Sequence, residues 1–113
     1  MREFDVAIIG AGPAGLFAAI ELTRLRRDLR IALLDKGARV EERACPVALK
    51  KPNWWEQEQS CRRCAVCHVL HGIGGAGTFS SGIVNLRPDV GGDLDKLLGS
   101  WEAAEELVKY VDK

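Results

Sequence analysis

At 113 residues the chain has room for one small domain and too little for two. Sixteen Lys and Arg balance sixteen Asp and Glu, and 47% of residues are hydrophobic; this excludes a bulk electrostatic pull toward nucleic acid or an anionic membrane surface. The longest apolar run, Ala7 to Ile20, holds three glycines and a proline and falls short of the roughly 20 residues that span a bilayer.

That run follows Glu3 and Asp5 and has no cleavage-like site behind it, so it does not read as an export signal. The expected location is the cytoplasm, where thiols stay reduced. The four cysteines therefore read as ligands or reactive thiols, not as a disulfide framework.

Phe4 to Ile9 is nearly continuous apolar sequence, the pattern of a strand covered on both faces. It leads into Gly10-Ala11-Gly12-Pro13-Ala14-Gly15, a G-x-G-x-x-G turn. In such a turn Gly10 closes the strand, Gly12 admits a pyrophosphate where a side chain would collide, and Gly15 lets the helix approach the strand. Pro13 suits a first helical turn, whose free amides, including that of Ala14, and positive dipole end then face phosphates. The helix is predicted from Pro13 to about Arg26, with Arg24, Arg26 and Arg27 as a solvated basic end.

A second strand, Ile31 to Leu34, ends on Asp35, twenty residues after Gly15. A carboxylate there accepts hydrogen bonds from both hydroxyls of an adenosine ribose and repels a 2′-phosphate, which disfavours NADP. Strand, glycine turn, helix, strand and carboxylate in that order make a dinucleotide-binding βαβ core over residues 3–36. The fold class is therefore α/β, a partial Rossmann-like FAD/NAD(P)-binding domain, because only two parallel strands are evident where a full sheet has five or six.

Residues 37–71 form a cysteine-rich excursion without periodicity, in which Trp54 and Trp55 read as anchors of a surface loop. Cys61, Cys64 and Cys67 are spaced by two residues, with Cys45-Pro46 upstream and His68 and His71 beyond. Such gaps let thiolates converge on one centre. The set suits a four-iron cluster with its remote ligand placed before the triplet, zinc held by four sulfurs, or zinc held by three with His68 or His71. Cys64 to His68 also spells the C-x-x-C-H of c-type haem attachment, and a redox thiol pair or simple reduced cysteines fit as well.

Residues 72–82 are glycine-dense, a path whose outward amides suit an anion or a flat ring. Ile83 to Leu86 allows a short strand. A final helix is expected over residues 93–113, capped by Asp93, with Leu94, Leu97, Leu98, Trp101, Ala104, Val108 and Val111 as its packing stripe.

Taken together, Gly10 to Gly15, Asp35-Lys36-Gly37, Arg43 with Cys45-Pro46, the cysteine triplet and Gly74-Gly75-Ala76-Gly77-Thr78-Phe79-Ser80 resemble the N-terminal segment of the NAD(FAD)-utilising, FAD-dependent dehydrogenases, within the glutathione-reductase-like flavoproteins. The resemblance covers essentially the whole chain. It implies FAD as cofactor, with its pyrophosphate at Gly10, Gly12 and Gly15, its ribose at Asp35 and its adenine beside Lys36. Gly74, Gly75, Ala76 and Gly77 would approach the ribityl or isoalloxazine part. Two departures stand out. The family's glycine stretch usually continues Asp-Gly-Lys, whereas here it reads Ser81-Gly82-Ile83, and such enzymes are much longer.

The chain is thus expected to be the N-terminal FAD-binding portion of a flavin-dependent oxidoreductase, truncated and catalytically incomplete alone. The remainder of a larger flavoprotein or a second chain would be its partner. No nucleic acid or membrane is expected among its partners, and no catalytic residue is assigned. Two other readings are a metal-binding electron-transfer or interaction module on a βαβ scaffold, with Cys45, Cys61, Cys64 and Cys67 as ligands to an iron-sulfur cluster or zinc, and NAD in place of FAD at the first site.

Overall fold

The computed structural model describes residues 3–46, 61 and 63–112. Trp54 and Trp55 lie outside the described residues. Two compact units are present, Met1–Gly82 and Ile83–Lys113.

In the first unit, strand β1 (Val6–Ile9) is followed by helix α1 (Pro13–Leu25) and strand β2 (Ile31–Leu34). The strands pair in parallel, Val6 opposite Ile31 through Ile9 opposite Leu34. Gly10 extends the ladder by donating to the Leu34 carbonyl at 2.7 Å. β1 starts two residues later than its apolar run because the chain is tied across its beginning. The Asp5 and Val6 amides both donate to the Arg30 carbonyl, and Arg30 returns its backbone amide and guanidinium to the Asp5 carboxylate.

α1 packs on the strands at close range. A Cβ on Gly15 would run into the Gly10 carbonyl and stand 3.3 Å from Ile8 Cγ2, so only glycine permits this spacing. The helix ends in solvent, where Arg24 pairs with Glu21 and Arg26 grips Asp28 through two nitrogens. This accounts for the basic cluster as a solvated helix end.

The expectation of a strand covered on both faces is corrected. Val6 and Ile8 are half-buried while Ala7 and Ile9 are exposed, and Ile9 reaches 79% exposure. Among the described residues β1 is thus covered on one face, although its sequence is apolar on both, while in β2 Ile31, Ala32 and Leu33 are half-buried and only Leu34 is exposed. Beyond β2, a 3-10 turn spans Val40–Glu42 and a second 3-10 helix spans Gly75–Phe79. The second imposes regular structure on part of the glycine-dense segment.

The second unit carries helices α2 (Leu94–Leu98) and α3 (Trp101–Val111) where one helix was expected. Gly99 stops α2 in the left-handed region at φ 69°, and the Ser100 side chain restarts the helix by accepting from the Ala103 amide at 3.2 Å. Asp93 does not cap with its side chain; it pairs with Lys96 at 2.7 Å. Ile83 to Leu86 forms no strand. Ala104 is buried and Leu94 and Val108 are half-buried, but Leu97, Leu98, Trp101 and Val111 remain exposed. The apolar stripe is therefore only partly covered within its unit. No described helix is long and apolar enough to cross a membrane.

Candidate functional site

The turn between β1 and α1 has the geometry its sequence predicts. Gly10 sits at φ 100°, which a side chain rarely tolerates. Gly12 is the N-cap of α1 and Pro13 its first residue. No side chain caps the helix, and its first turn contains no acidic residue. The amides of Gly12, Ala14 and Gly15 are the ones that helix geometry leaves without intrahelical partners. A Cβ on Gly12 would meet nothing within 4 Å, so the protein itself does not demand glycine there. An open lane beside an uncapped helix N-terminus suits a phosphate group.

Asp35 closes this turn from below. Its Oδ2 accepts from the Ala11 amide at 2.9 Å, and its Oδ1 accepts from the Gly37 and Gly72 amides, each at 2.8 Å. A carboxylate offers about four acceptor positions, so one remains. The Ala11 and Gly37 amides, with smaller contributions from Gly72 and the nearby His71, hold its pKa below the ordinary carboxylate range. The sequence reading assigned Asp35 to a ribose and did not foresee this clasp of three backbone segments.

Beside it, at the carboxyl ends of β1 and β2, lies a cavity of about 360 Å³ lined by Ile9, Gly10, Leu34, Asp35, Lys36 and His71. Ligands of open α/β sheets bind in such a crevice. His71, weighed from the sequence as a possible zinc ligand, belongs to this cavity. Its Nδ1 lies 3.2 Å from the Cys67 carbonyl. Lys36 lines the same space.

The second glycine run folds back onto the first. The Gly74 amide donates to the Ala11 carbonyl at 2.9 Å, and a Cβ on Gly75 would stand 3.2 Å from Gly12 Cα and 3.4 Å from Pro13 Cδ. Gly10, Gly12, Pro13, Asp35, Gly74 and Gly75 are thus brought into one neighbourhood, while Ala76 and Gly77 continue from it on the exposed side of the 3-10 helix.

Arg43 joins this neighbourhood to the cysteine segment. It is 5% exposed. Nε donates to the His68 carbonyl, Nη1 to the Ile73 carbonyl and Thr78 Oγ1, and Nη2 to the Val69 and Gly75 carbonyls, at 2.7–3.0 Å. Its guanidinium carbon also lies 4.8 Å from the Phe79 ring centroid. Sequence reasoning placed Arg43 in a motif but gave it no role. The only clue was indirect: a glycine-dense segment without a ladder leaves carbonyls that need a donor.

Past Arg43, a cavity of about 100 Å³ is lined by Ala44, Cys45, Pro46, Cys61, Cys64, Val66, Cys67 and His68. All four cysteines are free thiols, with Cys61 and Cys64 exposed and Cys45 and Cys67 half-buried. The structure brings the four together around one space, but among the described residues no three His, Cys, Asp or Glu side chains converge closely enough to ligate a metal as they stand. His68 is occupied otherwise: its Nδ1 accepts from the Ala44 amide at 3.0 Å.

Comparison with known proteins accords with the glycine-turn geometry. The mitochondrial electron transfer flavoprotein-ubiquinone oxidoreductase of Rattus norvegicus is 43% identical over 68 residues, covering 50% of this chain and 11% of that protein. Its namesake in Arabidopsis thaliana is 52% identical over 42 residues, covering 34% of this chain and 7% of that protein. A probable electron transfer flavoprotein-ubiquinone oxidoreductase of Acinetobacter baylyi is 38% identical over 68 residues, with 49% and 12% covered. The chain spans about a tenth of the length of such relatives. No solved structure matches. The pyridine nucleotide-disulphide oxidoreductase family matches residues 4–105. This chain belongs to that family, and its cofactor is FAD.

Proposed function

We propose that this chain grips the ADP end of FAD within a flavin-dependent dehydrogenase whose remaining sheet and substrate site lie in further polypeptide, in the same chain or a second one. The observation that carries this reading is the uncapped start of α1, with an open lane at Gly12 and the second glycine run docked against it. In it, the amides of Gly12, Ala14 and Gly15 hold the pyrophosphate. The remaining acceptor position of Asp35, with Lys36 and His71, serves the adenosine in the adjoining cavity. Gly74 to Gly77 offer a side-chain-free path toward the flavin ring. The bound flavin supplies hydride or electron transfer; the residues described here supply binding and orientation. The exposed apolar face of β1 suits coverage by the partner polypeptide. A reducing cytoplasmic compartment completes the reading, in keeping with four unpaired thiols.

The test is competition. FAD and ADP are expected to compete for the chain, whereas FMN, which lacks the AMP half, and riboflavin, which lacks the ADP half, are expected to displace neither. Gly12→Ala has room within the protein, so it should fold as the parent does yet lose at least about tenfold in affinity, or 1.4 kcal/mol. Displacement by FMN as effective as that by FAD, or undiminished affinity in the alanine variant, would refute the assignment.

A further inference from the structure

We infer that the cavity ringed by Cys45, Cys61, Cys64 and Cys67 is the seat of a four-iron iron–sulfur cluster held by those four thiolates. All the cysteines of the chain, drawn from two separate segments, face one space of about 100 Å³. That convergence is built and not incidental. The Ala44 amide binds His68 Nδ1, and Arg43 binds the carbonyls of His68 and Val69. Two ties thus fasten the residues flanking Cys45 to those flanking Cys67.

The ligand set follows from the histidines. Because His68 Nδ1 accepts a backbone N–H, the neutral ring carries its proton on Nε2 and has no lone pair left for a metal. His71 lines the other cavity. A three-sulfur, one-histidine zinc site and a haem ligated by His68 both fall away, leaving four sulfurs.

Their arrangement is three plus one. Three cysteines at two-residue spacing on one loop suit three corners of a cubane, with Cys45 at the fourth. Structural zinc is more often held by paired C-x-x-C turns, two plus two. Arg63, just before Cys64, takes a left-handed φ of 48° without being glycine.

Charge points the same way. Arg43 is a buried cation whose five hydrogen bonds all go to neutral oxygens. A buried charge without a counter-charge is costly, and a tetrathiolate cluster carries net negative charge two residues along the chain. In the structure the thiols surround the cavity without yet closing on a common point. Cys45 and Cys67 are half-buried and Cys61 and Cys64 exposed, which leaves the second pair open to incoming iron and sulfide.

The test is anaerobic reconstitution of the reduced full chain with ferrous iron and sulfide, followed by desalting, metal and sulfide analysis, and visible absorption. About four irons and four sulfides per chain are expected, with a broad thiolate-to-iron absorption that dithionite bleaches and that forms equally without flavin. Cys45→Ser and Cys64→Ser should each lose more than half of the iron while keeping the parental far-ultraviolet circular dichroism. The inference is overturned if a folded parent chain retains no iron, if it takes up one zinc and forms no cluster, or if either serine variant retains iron at the parental level.

Discussion

Arg43 shows how much one side chain can organise when no apolar core is at hand. Its five donors reach residues 25 to 35 positions away, and four of its acceptors are backbone carbonyls. Arg43→Met would keep much of the packing but strand those carbonyls in a buried place, at a cost of about 3 kcal/mol or more. Arg43→Lys brings a point charge with three donors that cannot span five acceptors, so its loss should fall between. Denaturant unfolding of the three proteins tests the order; a methionine variant with an unshifted midpoint would show that the clasp contributes nothing net. No spacing rule could have announced this residue, because its partners offer peptide oxygens, which carry no side-chain identity.

The secondary-structure elements divide by how local their causes are. β1, α1 and β2 were legible because a glycine turn, a helix-compatible proline and two apolar runs lie within 30 consecutive residues. The α2–α3 break was hidden by leucines and Trp101 that keep helical spacing across it. Its true signal is the pair Gly99-Ser100, a left-handed stop followed by a hydroxyl start. Replacing Gly99 with Ala forces a Cβ into the left-handed region at about 1–2 kcal/mol, and Ser100→Ala removes the cap at about 1 kcal/mol. Both losses should appear as faster amide exchange confined to residues 94–111; protection unchanged there would mean that the break is not held by these two residues. Of the candidate site, the placement of the first glycine turn at the start of α1 and of Asp35 at the end of β2 was legible for the same local reason. His71 and the docking of Gly74 and Gly75 against the turn were not, since both depend on how a 35-residue excursion returns.

Across the first unit, long-range order is largely polar. Ala11 is the one apolar side chain fully buried among the described residues of this unit, and Asp5, Asp35 and Arg43 supply the distant ties. Acid should therefore loosen it. A carboxylate whose native pKa lies below its ordinary value contributes stability that is complete above the ordinary value and drains away as pH falls through the native one. Arg30 holds Asp5 down from 3.8 to about 2, and three backbone amides lower Asp35. Unfolding midpoints are expected to hold steady above the ordinary carboxylate range and to fall between about pH 4 and pH 2. Asp5→Asn and Asp35→Asn should each flatten that decline, and an equally steep decline in both variants would place the acid sensitivity elsewhere.

The Asp35 clasp also bears on the order in which the protein is made. Its acceptors are fixed at residue 35, but one of its three donors is the amide of Gly72, and the last partner of Arg43 is Thr78. A nascent chain leaving the ribosome completes β1, α1 and β2 some forty residues before it can close either tie. The segments of the βαβ core are therefore made, but not yet fastened by these ties, through synthesis of the whole cysteine segment.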